Sequence, residues 1–140
     1  MNEPLSLANL KIYAEEQIAA HRYPDDRHTF RPANCVSCGP VPMVVTIKHH
    51  TGSMKQDFKG KIVTICTICG TETIFLSFTG AHRKPKSEET PTCQCGNNSF
   101  LVAECERIEG NKGITGFFDE GVIVGQCAVC GQNHTFVYTD

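Results

Sequence analysis

The chain of 140 residues has no tryptophan, few aromatic residues and no long apolar run. No stretch approaches the roughly 20 apolar residues that a membrane-spanning helix requires. Residues 1–11 also lack the basic start and unbroken apolar stretch of a signal peptide. We therefore expect a cytoplasmic protein without a membrane partner. No Ser/His/Asp set and no phosphate-binding glycine loop stands out, so we predict neither enzymatic activity nor a small-molecule substrate.

Cysteine, in contrast, is abundant, with nine in the chain. Eight form four close pairs, each followed directly by glycine: Cys35 and Cys38, Cys66 and Cys69, Cys93 and Cys95, Cys127 and Cys130. Two cysteines on one tight turn can present both sulfurs to a tetrahedral ion, and a second such turn completes a four-sulfur site. In a reducing compartment, paired cysteines more often bind metal than form structural disulfides. The spacing therefore predicts two metal sites, one in each half of the chain.

The two halves have similar patterns, C-x2-C-x27-C-x2-C and C-x-C-x31-C-x2-C. Each half has about 45 residues, a length at which a hydrophobic core rarely suffices without a metal or another crosslink. We therefore expect metal binding and folding of each half to occur together. Glycine after each pair allows the backbone to turn back through positive φ.

Before the first pair, residues 6–22 have a helical pattern. Ser6 is a plausible N-cap and Pro24 disfavours continuation. Apolar residues recur at three- and four-residue steps, namely Leu7, Leu10, Ala14 and Ile18. We expect this stripe to pack on the first half, with a docking or dimerisation helix as the alternative.

Short β-branched runs surround the cysteine pairs and predict three strands in each half. The runs are 43–47, 61–65 and 73–78, then 100–103, 121–125 and 135–138. Residues 79–92 have no apolar periodicity, and we expect an exposed linker that leaves the halves free to reorient. The predicted units are a helix with connector (1–28), a first unit (29–78), a linker (79–91) and a second unit (92–140).

The four pairs, their glycines and the strand entering each second pair resemble the zinc-ribbon superfamily over residues 33–78 and 92–139. The resemblance implies a small, metal-stabilised, mainly β protein with an N-terminal α-helix followed by two tandem zinc ribbons. It also implies one structural Zn²⁺ in each ribbon, held by four sulfurs with no open coordination position. The single residue between Cys93 and Cys95 departs from the commonest spacing. Zinc ribbons have many roles, so the resemblance does not fix a function.

Three points remain open at the metal sites: the identity of the metal, the role of Cys105 and the roles of two histidines. A rubredoxin-like iron electron carrier has similar cysteine pairs, but the lack of tryptophan and the β-branched strands disfavour it. Cys105 is either a bystander or a substitute ligand for Cys93. His82 and His134 are expected to be ordinary surface histidines.

Charge is unevenly distributed, because residues 29–78 carry five bases and two acids whereas residues 93–140 carry two bases and six acids. Surfaces of opposite sign suit docking between proteins, so our first hypothesis is a protein-interaction adaptor. The alternative is a single-stranded nucleic-acid-binding or transcription-associated protein, because bases and one aromatic residue cluster on the first hairpin and the linker. The residues concerned are Lys48, Lys55, Phe58, Lys59, Lys61, Arg83, Lys84 and Lys86.

Overall fold

A computed structural model describes residues 5–18, 27–49, 60–77, 87–108 and 120–139. Within these ranges, the protein is small and mostly antiparallel β, with one N-terminal helix. The elements are α1 (Leu7–Gln17), β1 (Arg27–Pro32), β2 (Met43–His49), β3 (Gly60–Cys66), β4 (Glu72–Ser77), β5 (Ser87–Glu89), β6 (Ser99–Ile108), β7 (Glu120–Cys127) and β8 (Asn133–Thr139).

All eight strands belong to one sheet, whose main order is β4-β3-β2-β6-β7-β8. β2 and β6 pair only briefly, through Met43 with Phe100 and Val44 with Ser99. Further along, β2 pairs with β5 instead, and β6 pairs with β1. The sheet therefore has two arms, β5-β2-β3-β4 and β1-β6-β7-β8, which join at the short β2–β6 contact.

The two arms share the same irregularity. The pairing of β3 with β4 shifts register between Ile62 and Val63, and that of β7 with β8 shifts between Ile123 and Val124. Each shift is a β-bulge that leaves one aromatic residue, Phe75 or Phe136, without a register partner. The similarity of the two halves therefore extends from the cysteine spacing to the strand geometry.

One hydrophobic core joins the arms. It includes Met43, Val45, Ile47, Ile62 and Phe75 from the first arm, and Phe100, Val102, Ile123 and Val137 from the second. The expectation of halves that reorient freely is therefore wrong. Residues 87–89 of the expected linker form β5 and pair with β2. The apolar face of each arm is too small to form a core alone, so residues of both arms form one core together.

The helix begins at its predicted N-cap. Ser6 has extended dihedrals, φ −146° and ψ 114°, and its side chain accepts a hydrogen bond of 3.1 Å from the Asn9 N–H. Described helical structure ends at Gln17, with Ile18 as C-cap, and residues 19–22 of the predicted helix lie outside the described residues. Helix α1 is therefore confirmed as far as the structure describes it.

The helix packs on the second arm, contrary to the expected packing on the first half. Leu10, Ala14 and Ile18 are fully buried. They form a second core with five residues of β6 and β7: Leu101, Ala103, Cys105, Val122 and Val124. The helical stripe was predicted correctly, but its periodicity identifies only the buried face of the helix and not the surface that covers it.

Candidate metal centres

Each tetrad of cysteines predicted from the spacing is brought together in space. Site 1 consists of Cys35, Cys38, Cys66 and Cys69, and site 2 of Cys93, Cys95, Cys127 and Cys130. Within each site, all four sulfurs lie within 4.8 Å of one another. In each site the second pair begins at the end of a strand, β3 for site 1 and β7 for site 2.

Each cysteine pair lies on a tight turn, which we call a knuckle, that ends at the predicted glycine. The amide of this glycine donates to the carbonyl of the first cysteine over 2.8 to 3.0 Å in all four knuckles. The glycine φ angles are 82° at Gly39, 77° at Gly70, 93° at Gly96 and 79° at Gly131. These values lie in the left-handed region, which glycine adopts without steric cost. The glycines therefore allow the backbone to reverse its direction after each cysteine pair.

The sulfur spacing fits a four-coordinate ion. The closest sulfur pairs are 3.4 Å (Cys35 and Cys69), 3.5 Å (Cys93 and Cys130) and 3.6 Å (Cys95 and Cys127). A tetrahedral ion with metal–sulfur bonds of about 2.3 Å sets sulfurs roughly 3.8 Å apart. All nine cysteines are free of disulfides. Each tetrad can therefore hold one metal ion, and four sulfurs suit zinc or iron.

At site 1, hydrogen bonds favour the charged form of one sulfur. The Thr71 hydroxyl lies 3.0 Å from the Cys69 Sγ, and its hydrogen bond is the main cause that lowers the pKa of Cys69 to about 6. The Ile68 N–H donates to the Cys66 Sγ over 3.4 Å. Burial and hydrogen bonds with neighbouring thiols raise the pKa of Cys38 to about 12. The surroundings of site 1 thus shift the pKa values of Cys38 and Cys69 in opposite directions.

At site 2, three N–H groups of the protein surround the Cys127 sulfur. Burial by itself raises the pKa of Cys127, but N–H donors outweigh it and lower the pKa to about 6. These donors are the Asn97 side-chain amide at 3.3 Å, the Val129 N–H at 3.4 Å and the Cys130 N–H at 3.5 Å. Such donors stabilise a thiolate and support its metal-bound form.

His134 was predicted to be an ordinary surface histidine, and this was wrong. Its Nε2 lies 3.3 Å from the Cys93 Sγ, and burial lowers the pKa of the imidazole. The ring makes an edge contact with Phe100 and stacks on Phe136. His134 is the second residue of β8, the strand that leaves the second knuckle of site 2, and this position brings it to the Cys93 sulfur. His82 lies outside the described residues.

Cys105 is separate from both sites. It is fully buried in the core beneath α1, and burial raises the pKa of its thiol to about 12. Because Cys93 itself completes site 2, Cys105 is a bystander and not a substitute ligand.

Two residues of the predicted nucleic-acid surface lie within the described ranges. Lys48 and Lys61 are register partners on β2 and β3. Acidic residues of β5 adjoin this strand pair, with the Lys48 Nζ 3.9 Å from a Glu88 carboxylate oxygen and the His49 Nε2 3.0 Å from Glu89. The surface there has both signs of charge. The other predicted residues are outside the described ranges: Lys55, Phe58, Lys59, Arg83, Lys84 and Lys86.

The knuckles of site 1 also present apolar side chains to solvent. Val36, between the first two ligands, is 95% exposed, and Ile68, between the last two, is 68% exposed. We call Val36 and Ile68 the apolar tip. The corresponding Val129 of site 2 is 49% exposed. Cysteine spacing does not predict this feature, because it fixes the number of residues between two ligands and not how far their side chains extend into solvent.

Together these observations indicate a structural metal-binding protein with two four-cysteine clusters, each of which could hold one metal ion. None of the helices in the described part of the chain is long and apolar enough to span a membrane. Comparisons of the chain with protein-family models, with curated proteins and with solved structures found no match.

Proposed function

We propose that this chain is a non-enzymatic protein-interaction adaptor built on two structural zinc ribbons. Four cysteine ligands close each tetrahedral site, so no coordination position remains for a reacting water. The resemblance to zinc ribbons in cysteine spacing and knuckle glycines favours zinc over iron. The metal then orders the knuckles, and the knuckles present the binding surface.

The apolar tip is the observation that carries this proposal. Both knuckles of site 1 expose an aliphatic side chain at the centre of the turn, and one of them is almost wholly in solvent. The two knuckles lie together, because the Cys35 and Cys69 sulfurs are 3.4 Å apart. Apart from the ligand sulfurs, neither knuckle contains a charged side chain. Exposed aliphatic groups on a metal-ordered turn are suited to burial in a partner.

The shape and chemistry of the tip indicate the kind of partner. Two adjoining turns that each project one aliphatic side chain fit an apolar pocket on another protein, as anchor residues do in a protein interface. Because the tip lacks charge, its binding should depend little on salt. The occupant that we propose is therefore a folded protein with an apolar pocket.

Metal content is tested first. The protein, purified without added metal and analysed by inductively coupled plasma mass spectrometry, should contain two zinc atoms per chain and be colourless. A red protein containing iron would contradict the zinc assignment and favour the electron-carrier alternative.

The partner test uses matched variants of the zinc-loaded full chain. Val36→Ser with Ile68→Ser removes the apolar tip, whereas Ile12→Ser changes an exposed residue of α1 as a control. Proteins retained by the wild type at low and high salt are identified, expressed and titrated by calorimetry. Burying an aliphatic side chain contributes roughly 1.5–3 kcal/mol, so we expect the double variant to bind at least about tenfold more weakly. Equal binding by all three proteins would contradict the proposal.

Nucleic-acid binding is the second candidate, because Lys48 and Lys61 are adjacent across β2 and β3. Fluorescence anisotropy with labelled single-stranded DNA and RNA tests it. Tight binding that weakens steeply with salt and with Lys48→Ala and Lys61→Ala would favour this candidate over the adaptor. Absence of binding at low salt would exclude it.

A further inference from the structure

The second knuckles of the two metal sites have the same backbone plan, whereas the first knuckles differ by one residue between the ligands. In the second knuckle of each site, the amide of the third residue donates to the first cysteine sulfur. The distance is 3.4 Å from Ile68 to Cys66 and 3.4 Å from Val129 to Cys127. The side chains around the two sites can therefore be compared from this common reference.

Site 2 has two side-chain nitrogens held against its sulfurs, the amide of Asn97, which donates, and the Nε2 of His134, which donates in the tautomer that carries its proton there. The Asn97 amide nitrogen lies 3.3 Å from the Cys127 Sγ and also donates to the Ser99 carbonyl over 2.7 Å. The Asn97 side-chain oxygen accepts from the Ser99 hydroxyl over 3.1 Å, so the amide is fixed at both ends. On the other side, the His134 Nε2 lies 3.3 Å from the Cys93 Sγ.

The aromatic residues of the second arm fix the His134 ring. Its centroid is 5.6 Å from that of Phe100 in an edge arrangement and 6.4 Å from that of Phe136 in a stacked one. These two rings thus fix the orientation of the imidazole beside the Cys93 sulfur.

The matching positions of site 1 carry different residues. Pro40 follows the knuckle glycine where Asn97 stands in site 2, and proline has neither an N–H nor a polar side chain. Thr73 takes the place of His134. At site 1 the Thr71 hydroxyl contacts the exposed Cys69 sulfur.

These differences affect how firmly each site holds a metal ion. Four thiolates around a divalent ion carry a net charge of about −2. Nitrogen donors directed at the sulfurs disperse this charge and lower the reactivity of the sulfurs toward protons and competing chelators. Half-buried groups that are already held in place, by Ser99 for Asn97 and by Phe100 and Phe136 for His134, do so with little further ordering cost. Site 2 should therefore release its ion more slowly than site 1.

We propose that site 2 is the permanent structural site and that site 1 is an exchangeable site for a thiolate-binding divalent cation such as Zn²⁺. This inference rests on the proposed function, because loading of site 1 then determines whether the apolar tip is formed. Loss of the site 1 ion frees two knuckles. The common core and site 2 retain the rest of the sheet.

The test begins with the zinc-loaded wild-type protein and an excess of a chromogenic chelator. Zinc release is followed by absorbance, while the amides of Ile68 and Val129 report on sites 1 and 2 in nitrogen–proton correlation spectra. We expect two phases of one zinc each, with the Ile68 signal changing first and the rates differing by about tenfold or more. Release at equal rates, or release from site 2 first, would overturn the proposal.

Variants then test the cause. Asn97→Ala and His134→Phe each remove one nitrogen donor, and the phenylalanine keeps an aromatic ring in the stack. Each should accelerate the slow phase by about tenfold and leave the fast phase unchanged. Thr71→Val is the matched change at site 1 and should alter only the fast phase. If neither variant changes the rate of the slow phase, although its spectrum is that of a folded protein, these donors do not determine how firmly site 2 retains zinc.

The outcome is separable from that of the proposed function. If both sites release zinc equally but Val36→Ser with Ile68→Ser still abolishes partner binding, the adaptor proposal stands and the exchange proposal fails. If release is ordered as expected but the tip variants bind normally, the adaptor proposal fails instead.

Discussion

At the residue scale, Gly125 on β7 shows how closely the second arm is packed. An added Cβ would lie 2.5 Å from the Phe136 ring and 3.2 Å from the Cβ of Phe100. The absence of a side chain at Gly125 therefore allows Phe136 to lie across β7 at the bulge. Through its stacking on His134, this ring also helps to shape site 2.

We predict that Gly125→Ala lowers the free energy of unfolding by about 1–3 kcal/mol, because the new methyl group overpacks the ring. Chemical denaturation of the zinc-loaded protein measures the loss. In a Phe136→Leu background, Gly125→Ala should lower the free energy of unfolding much less, because the ring atoms that the new methyl group would contact are absent. An equal cost in both backgrounds would show that the clash is not the cause.

Glu106 on β6 provides a prediction for pH dependence. Burial, followed by the charge of Glu104 and a hydrogen bond with it, raises the pKa of Glu106 above its ordinary value of 4.5. In the window between 4.5 and the raised pKa, the folded state binds more protons than the unfolded state. The contribution of Glu106 to the free energy of unfolding is therefore fully present below pH 4.5 and is lost as pH rises through that window.

Glu106→Gln should consequently be more stable than the wild type near pH 7, and the difference should shrink as pH falls toward about 5. Denaturant midpoints at several pH values provide the measurement. The exposed Glu72→Gln serves as control. A difference that grows on acidification would contradict the assignment.

The eight metal ligands and their glycines could be predicted, because a knuckle is encoded within about five neighbouring residues. The groups that contact the sulfurs could not. Asn97 reaches Cys127 and His134 reaches Cys93 only after β6, β7 and β8 have paired. Such contacts depend on the tertiary fold, and single-residue patterns do not show them.

At the scale of elements, α1 is joined to the second arm by both apolar and polar contacts. Leu10 is fully buried in the core shared with Leu101 and Val122. The Tyr13 hydroxyl lies 2.8 Å from the Thr135 hydroxyl, and the Ser6 N–H donates to the Gln126 side chain over 2.8 Å. The helix therefore belongs to the folded unit and does not present its apolar stripe for docking.

Leu10→Ala should destabilise the protein by about 2–5 kcal/mol, because it leaves a cavity between α1 and the sheet. Ile12→Ala, on the exposed side of the same helix, should change stability by less than about 0.5 kcal/mol. Alkylation followed by mass spectrometry should also show that Cys105 becomes reactive in Leu10→Ala but not in Ile12→Ala. If the two variants behave alike, α1 is not packed as described.

Five of the six strands with β-branched residues were predicted close to their observed bounds, β6 was predicted too short, as 100–103 instead of Ser99–Ile108, and β1 and β5 were not predicted. The sequence of β5 is Ser-Glu-Glu, and β1 contains two arginines and ends at Pro32. Neither has the apolar alternation that identifies a half-buried strand. They form because β2 and β6 diverge and leave backbone groups that need hydrogen-bond partners.

At the scale of the whole molecule, the common core determines how the protein unfolds. Phe100 is fully buried at the junction of the arms and pairs with Met43 across it. We predict that the zinc-loaded protein unfolds in one transition, observed equally at Ile62 in the first arm and Ile123 in the second. Phe100→Ala should lower stability by about 3–5 kcal/mol and shift both signals together. Two separate transitions would instead support independent modules.

The pairing of β1 with β6 has a consequence for biosynthesis. Helix α1 and β1 leave the ribosome before their partners, because β6 and β7 are made only after both knuckles of site 1. A nascent chain that ends before β6 can assemble the hairpin of site 1 but must keep Leu10, Ala14 and Ile18 in water. The segment with α1 and β1 is thus synthesised early but is among the last to fold, because it must wait for β6 and β7.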